Sequence, residues 1–139
     1  MDSEEVEAVL AEIREANRLL AERLAAGGDD SVGPDLWGLQ SSRYRRLWLL
    51  TGKDQYLARA RQYIDQAVRA VVVGLGDSTF LAQRAQLLMA AGHMEEAARD
   101  IGFLRHHHPG AYLPAPSRAV ASLYIRSVVQ EYERRSNPS

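Results

Sequence analysis

The sequence predicts an all-α fold, a right-handed stack of about six helices arranged as antiparallel hairpins. Three observations lead there. Apolar residues recur at spacings of three and four along most of the 139 residues, the period of a helix face and not of a strand. Glycine and proline collect mainly between these periodic segments, Gly38 and Gly102 being the exceptions. The third is a helix, glycine turn and helix plan that occurs twice.

The segment from Ser3 to Ala26 contains neither proline nor glycine, is rich in Ala, Leu, Glu and Arg, and stops at Gly27-Gly28, so it is expected to be one long helix. Val6, Leu10, Ile13, Asn17, Leu20 and Leu24 follow one another at alternating spacings of four and three. That is a heptad seam with a polar residue in a register-setting position, and Leu10, Ile13, Asn17, Leu20 and Leu24 are the candidate residues for self-association into a homodimer. Val9 and Ala16 widen the stripe, so packing against the chain's own helices fits the pattern equally well.

The run GGDDSVGP over Gly27 to Pro34 is expected to be a turn-rich joint. A second helix follows from Asp35 to Leu50, with Leu36, Leu39, Leu47 and Leu50 and the aromatics Trp37, Tyr44 and Trp48, and it stops at Thr51-Gly52. Asp54 is placed to cap a third, running through Tyr56, Leu57, Ala60, Ile64, Ala67 and Val68 to Gly74 and Gly76. So short a turn requires an antiparallel hairpin. A second hairpin has the same plan: Asp77 or Ser78 caps a helix through Phe80, Leu81, Ala85 and Leu88, Ala91-Gly92 turns it, and Met94 to His107 forms the return helix before Pro109-Gly110. Pro114 and Pro116 then admit a last helix from about Ser117 to Arg134, with Val120, Leu123, Tyr124, Val128 and Tyr132 as its apolar stripe. The expected organisation is an acidic helix and linker over residues 1–30, a helical-hairpin domain over 31–135 and a disordered tail over 136–139.

Residues 78–111 place Ala85, Gly92, Ala97, Ile101, Leu104 and Pro109 in the spacing of a tetratricopeptide repeat, and the chain resembles that family there. Gly52, Ala60, Ile64 and Ala67 repeat the plan partially, with eight residues from Gly52 to Ala60 against five from Gly92 to Ala97. Arg84 occupies a position the family usually makes apolar. The resemblance implies a non-enzymatic binding scaffold, an adaptor or chaperone-like protein whose concave face is lined by the first helix of each hairpin. On that face it places Ser42, Arg43, Arg46, Leu49, Ala82, Gln83, Gln86 and Met89, of which Arg43, Arg46, Leu49, Gln83, Gln86 and Met89 are the candidate partner-binding residues. The asparagine and lysine set by which some members clamp a peptide carboxylate is not matched. The alternative is that this groove is filled by the chain's own first or last helix.

Composition narrows the function classes. A hydrophobic content of 46% suffices for one core without metals or disulfides, and zero cysteines exclude thiol nucleophiles and cysteine zinc sites. No run approaches the roughly 18–20 apolar residues of a membrane span, and the start of the chain is acidic, so a soluble cytoplasmic protein is expected. Residues 1–30 hold nine acidic and three basic side chains and residues 31–139 hold nine and fourteen. Apart from Lys53 every basic side chain is arginine, a group suited to planar contacts with carboxylate or phosphate, so the expected partner is a protein or peptide of acidic character. A pI near 6.4 and the acidic first helix weigh against nucleic acid, although Arg43, Arg45, Arg46, Arg59 and Arg61 sit on neighbouring helices.

No catalytic motif emerges. His106, His107 and His108 are consecutive and diverge by about 100° each on a helix, so they do not converge on one ion; they suit a helix C-terminus. The run VVVGLGD at 71–77 lacks the third glycine of a dinucleotide fingerprint, since Thr79 stands there. Glu95 and Glu96 also diverge and fit a first helical turn. Neither a metal nor a cofactor is expected. The second hypothesis is a self-assembling structural subunit joined through the first helix, and the third a helical enzyme accessory or nucleic-acid binder.

Overall fold

The computed structural model describes residues 3–27, 34–72, 78–106 and 115–137. Among them are six helices and no strand: α1 (Ser3–Ala25), α2 (Pro34–Thr51), α3 (Asp54–Val72), α4 (Thr79–Ala90), α5 (Met94–His106) and α6 (Ala115–Ser136). The chain divides into two compact units, Met1–Gly76 and Asp77–Ser139.

In the first unit α2 and α3 form an antiparallel hairpin, and α1 packs on α2 across the expected boundary at residue 30. Gly52 ends α2 with φ of +70° and its N–H donates to Trp48 O at 2.7 Å, the left-handed stop that a glycine supplies without a side-chain clash. Thr51 Oγ1 donates to Leu47 O at 2.7 Å and accepts from Lys53 N at 3.2 Å, which ties the turn. The helices meet through small residues. Ala60 and Ala67 are fully buried beside Ile64, Gly38 is buried on α2, and Ser41 Oγ donates to Ala60 O at 2.7 Å. Tyr44 stacks on Tyr63 at 5.7 Å and 9°, and tilts against Tyr56 at 6.2 Å. Its partly buried hydroxyl has a raised pKa, mainly through burial and then through the neighbouring Tyr63. Trp37 and Trp48 are half-buried.

The second unit is an α4–α5 hairpin with α6 packed on both helices. Gly92, at φ +83°, donates to Met89 O at 3.1 Å while His93 N donates to Leu88 O at 2.8 Å. Those bonds complete the paired Schellman stop in which the two residues past the cap satisfy the last carbonyls. Ser78 precedes α4, but its hydroxyl makes no capping bond. Its carbonyl does the local work, accepting from Leu81 N and Ala82 N. Six of the residues of α4 are buried, as befits a helix sandwiched between two others. Ala85, Ala97 and Ile101 are fully buried. Arg84, the charged residue at an expected apolar position, forms a two-pronged pair with buried Asp100 at 2.7 and 2.8 Å.

The last helix departs from expectation. It begins at Ala115, with Pro116 in a first turn that requires no donor from it, and runs to Ser136, whose Oγ donates to Tyr132 O at 2.6 Å. Its buried face is Ala121, Ile125 and Val128, while Val120 and Leu123 are 68% and 62% exposed. The small Ala121 lets α6 lie close to its neighbours where bulkier residues would hold it off. The structure of His107 to Pro114, including His107, His108, Pro109 and Pro114, and that of Gly74, Gly76 and Asp77 lies outside the described residues.

Candidate functional site

The site builds from α1 and α2. Helix α1 buries Val9, Ile13 and Ala16. Val9 and Ile13 form a cluster with Leu47 of α2, against which Val6, Leu10, Tyr44, Leu50 and Tyr56 pack. The first half of the heptad seam is thus used within the chain. Asn17, its polar position, accepts a hydrogen bond from Gln40 Nε2 at 2.8 Å, and the same amide reaches Ile13 O at 3.3 Å. Gln40 is 1% exposed, so this bond fixes how α1 sits on α2, because a buried amide without partners would cost about 1–3 kcal/mol. Leu20 is half-buried and Leu24 is 53% exposed.

The arginines of α2 meet the acids of α1. Arg46 Nη2 lies 2.6 Å from Glu5 Oε1, and this bond first, then the Glu5 charge, raises the Arg46 pKa. Arg43 Nε stands 3.6 Å from Glu12 Oε2 and Arg43 Nη1 donates to Gln40 Oε1 at 3.4 Å. The charge asymmetry seen in the sequence is therefore matched inside this unit. Exposed pairs of this kind add little stability but fix orientation. Further along α1, Arg18 bonds both Glu15 and Glu22, and its hydrogen bond is the main reason the Glu15 carboxyl titrates below its usual value.

Between the later part of α1 and the first half of α2 lies a cleft of about 410 Å³. Its floor is Ala16 and Leu36, 4% and 6% exposed, and its lips are Leu19 of α1 and Leu39 of α2, 37% and 49% exposed. Glu12 and Glu15 line the α1 side and Arg43 the α2 side. Leu39 also begins an outward stripe of α2 that continues through Ser42, Arg46 and Leu49, all exposed. The predicted residues Arg43, Arg46 and Leu49 border this surface. Leu19, Leu36 and Leu39 were not singled out as binding residues by the sequence, since a leucine on an amphipathic helix carries no mark of whether a neighbour covers it.

The predicted face of α4 has a different fate. Gln86 Oε1 accepts from Tyr124 of α6 at 2.7 Å, Met89 is 2% exposed and its carbonyl accepts from Arg135 at 3.4 Å. Ala82 is fully buried and Gln83 half-buried. Helix α6 thus covers the end of α4 that carries Gln86 and Met89.

Among the described residues no group of three His, Asp or Glu side chains is arranged to hold a metal ion, and His106 is an exposed residue at the end of α5. Arg61 is paired with Asp65 at 3.1 Å and Arg59 donates to Gln62 at 3.4 Å. No described helix is long and apolar enough to cross a membrane. No family model, curated protein or solved structure matches the chain.

Proposed function

We propose that the chain is a non-enzymatic interaction module, an adaptor, scaffold or chaperone-like protein, that takes a helix or peptide of a protein partner in the cleft between α1 and α2. The observation that carries this reading is the pair Leu19 and Leu39, exposed on opposite lips of an apolar floor and bordered by charge. An amphipathic helix lays its apolar strip into a groove of this kind, with the rim charges setting orientation. The expectation of an acidic partner weakens, because Glu5 and Glu12 already meet Arg46 and Arg43. Apolar contact is the main source of affinity.

The tetratricopeptide-like stacking belongs to the same proposal. Its support is local: fully buried Ala85 and Ala97, the glycine stop at Gly92 and the buried Ile101 and Leu104 of α5. Placement in the cytoplasm rests on composition alone.

The test is retention from native cell lysate on immobilised full-length chain and on a Leu19→Glu, Leu39→Glu variant. Both substitutions fall on exposed side chains, so the variant is expected to keep its helical circular dichroism. A protein retained by the parent and lost from the variant is the expected result; equal retention by both removes the cleft from the reading.

A further inference from the structure

We infer that α1 is a built-in stand-in for a partner's helix: it covers a receptor face on α2, from which an acidic amphipathic helix of the same pattern displaces it. This goes beyond binding in the α1–α2 cleft. The cleft needs α1 in place, so the two occupants exclude each other. The α2–α3 hairpin has a core of its own, in which Ala60, Ile64 and Ala67 are fully buried, Ser41 Oγ donates to Ala60 O at 2.7 Å and Tyr44 stacks on Tyr63. Among the described residues α1, by contrast, packs on α2 alone.

The contacts of α1 define the chemistry of the helix that replaces it. Val9, Ile13 and Ala16 are its buried residues, Glu5 meets Arg46, Glu12 stands 3.6 Å from Arg43, and Asn17 accepts from Gln40 at 2.8 Å. All six fall on one side of the helix, in the order Glu, β-branched, Glu, β-branched, small, Asn over residues 5–17. Arg43 and Arg46 are thus met within the chain by the acidic helix that the sequence led one to expect from a partner. Ala16 underfills this face. It lines the cleft together with Leu36 and Leu39, so a helix with leucine at that place buries apolar surface that α1 leaves open. That gain lets a free helix compete with a segment whose covalent attachment gives it a local concentration on the order of millimolar.

Fluorescence anisotropy of a labelled peptide of residues 3–26, added to the full chain and to its Val9→Asp, Ile13→Asp variant, tests the inference. The substitutions undock α1 in the variant, because its carboxylates are disfavoured in the apolar contact. Masking reduces the apparent affinity by the fraction of chains whose α1 is released, so the variant is expected to bind the peptide at least about tenfold more tightly than the parent. A peptide carrying Ala16→Leu binds more tightly still, and adding Arg43→Glu and Arg46→Glu to the variant abolishes binding. Equal binding by parent and variant overturns the inference, as does a variant that keeps its helical circular dichroism for α2 and α3 and binds no peptide. Amide exchange of the unmodified chain is the second measurement. A stand-in helix opens without the hairpin beneath it, so the amides of α1 are expected to exchange at least about tenfold faster than those of α3. Protection of α1 equal to that of α3, or unfolding of α2 and α3 in the variant, makes α1 an integral part of the unit and overturns the inference. Binding in the cleft is tested separately, through Leu19 with α1 in place.

Discussion

Each unit is a two-helix hairpin carrying a third helix, but among the described residues α1 packs on α2 alone whereas α6 packs on both α4 and α5. In the second unit α6 buries Ala121, Ile125 and Val128 and also bonds across to α4, from the Tyr124 hydroxyl to Gln86 Oε1 and from Arg135 to Met89 O. In the first unit the central helix α2 buries two polar side chains, Gln40 and Ser41, alongside Leu36 and Leu47. Helix α1 is held there by Val9, Ile13 and Ala16, with an amide bridge and carboxylate–guanidinium pairs fixing its orientation. Both units leave large apolar side chains outside, Leu19, Leu39 and Leu49 in the first and Phe103, Val120 and Leu123 in the second, so the polar junction is not what exposes them.

The largest test of this contrast lies in the second unit, where one charged pair is embedded in an apolar setting. Asp100 is 4% exposed. Asp100→Ala removes a buried carboxylate that holds Arg84 with two bonds, at a cost on the order of 3 kcal/mol. Urea unfolding is expected to shift accordingly, with amide-exchange protection lost first in α4 and α5. A silent Asp100→Ala would mean that packing alone organises this hairpin.

A smaller effect is expected at Gln40. Gln40→Leu keeps the volume and deletes the bridge to Asn17 and Ile13 O, costing about 1 kcal/mol. Exchange in α1 should rise while α2 and α3 hold their protection. Unchanged exchange in α1 would show that its three buried apolar residues suffice.

The smallest effect is electrostatic. The folded pKa of Glu15 lies below its ordinary 4.5, chiefly through the hydrogen bond from Arg18. A carboxyl depressed in this way contributes its full share above 4.5 and loses it as pH falls through the lowered value. Carbon NMR of the Glu15 side chain should titrate below 4.5 and return towards that value in Arg18→Ala or at high salt, since the pair is exposed. A midpoint indifferent to Arg18→Ala would assign the depression elsewhere.

Both hairpins were legible in the sequence because their closest crossings demand small residues at fixed places. Ala60, Ala67, Ala85 and Ala97 stand there, all fully buried, and Gly52 and Gly92 end the leading helices with positive φ. The face of α6 was legible only in part: Val128 of the expected stripe is buried, whereas Val120 and Leu123 are exposed. Val120 and Leu123 have the helical spacing that Ala121 and Ile125 have, and counting bulk favours the first pair while close approach favours the second. The bridge from Gln40 was hidden for another reason. Its partners lie 23 and 27 residues away, and an amide on a helix carries no periodic signal of what it will meet. Of the residues lining the cleft only Arg43 coincides with one the repeat resemblance pointed to, since how α1 and α2 face each other is encoded in no local pattern.

The placement of the aromatics on α2 has a consequence for spectroscopy. Trp37 and Trp48 are the two tryptophans of the chain, and both belong to the first unit. Intrinsic tryptophan emission therefore watches residues 1–76 alone, whereas far-ultraviolet dichroism averages all the helices. Transitions that coincide by the two signals describe a chain that melts as one cooperative body, and transitions that separate give the stability of each half from a single unlabelled sample.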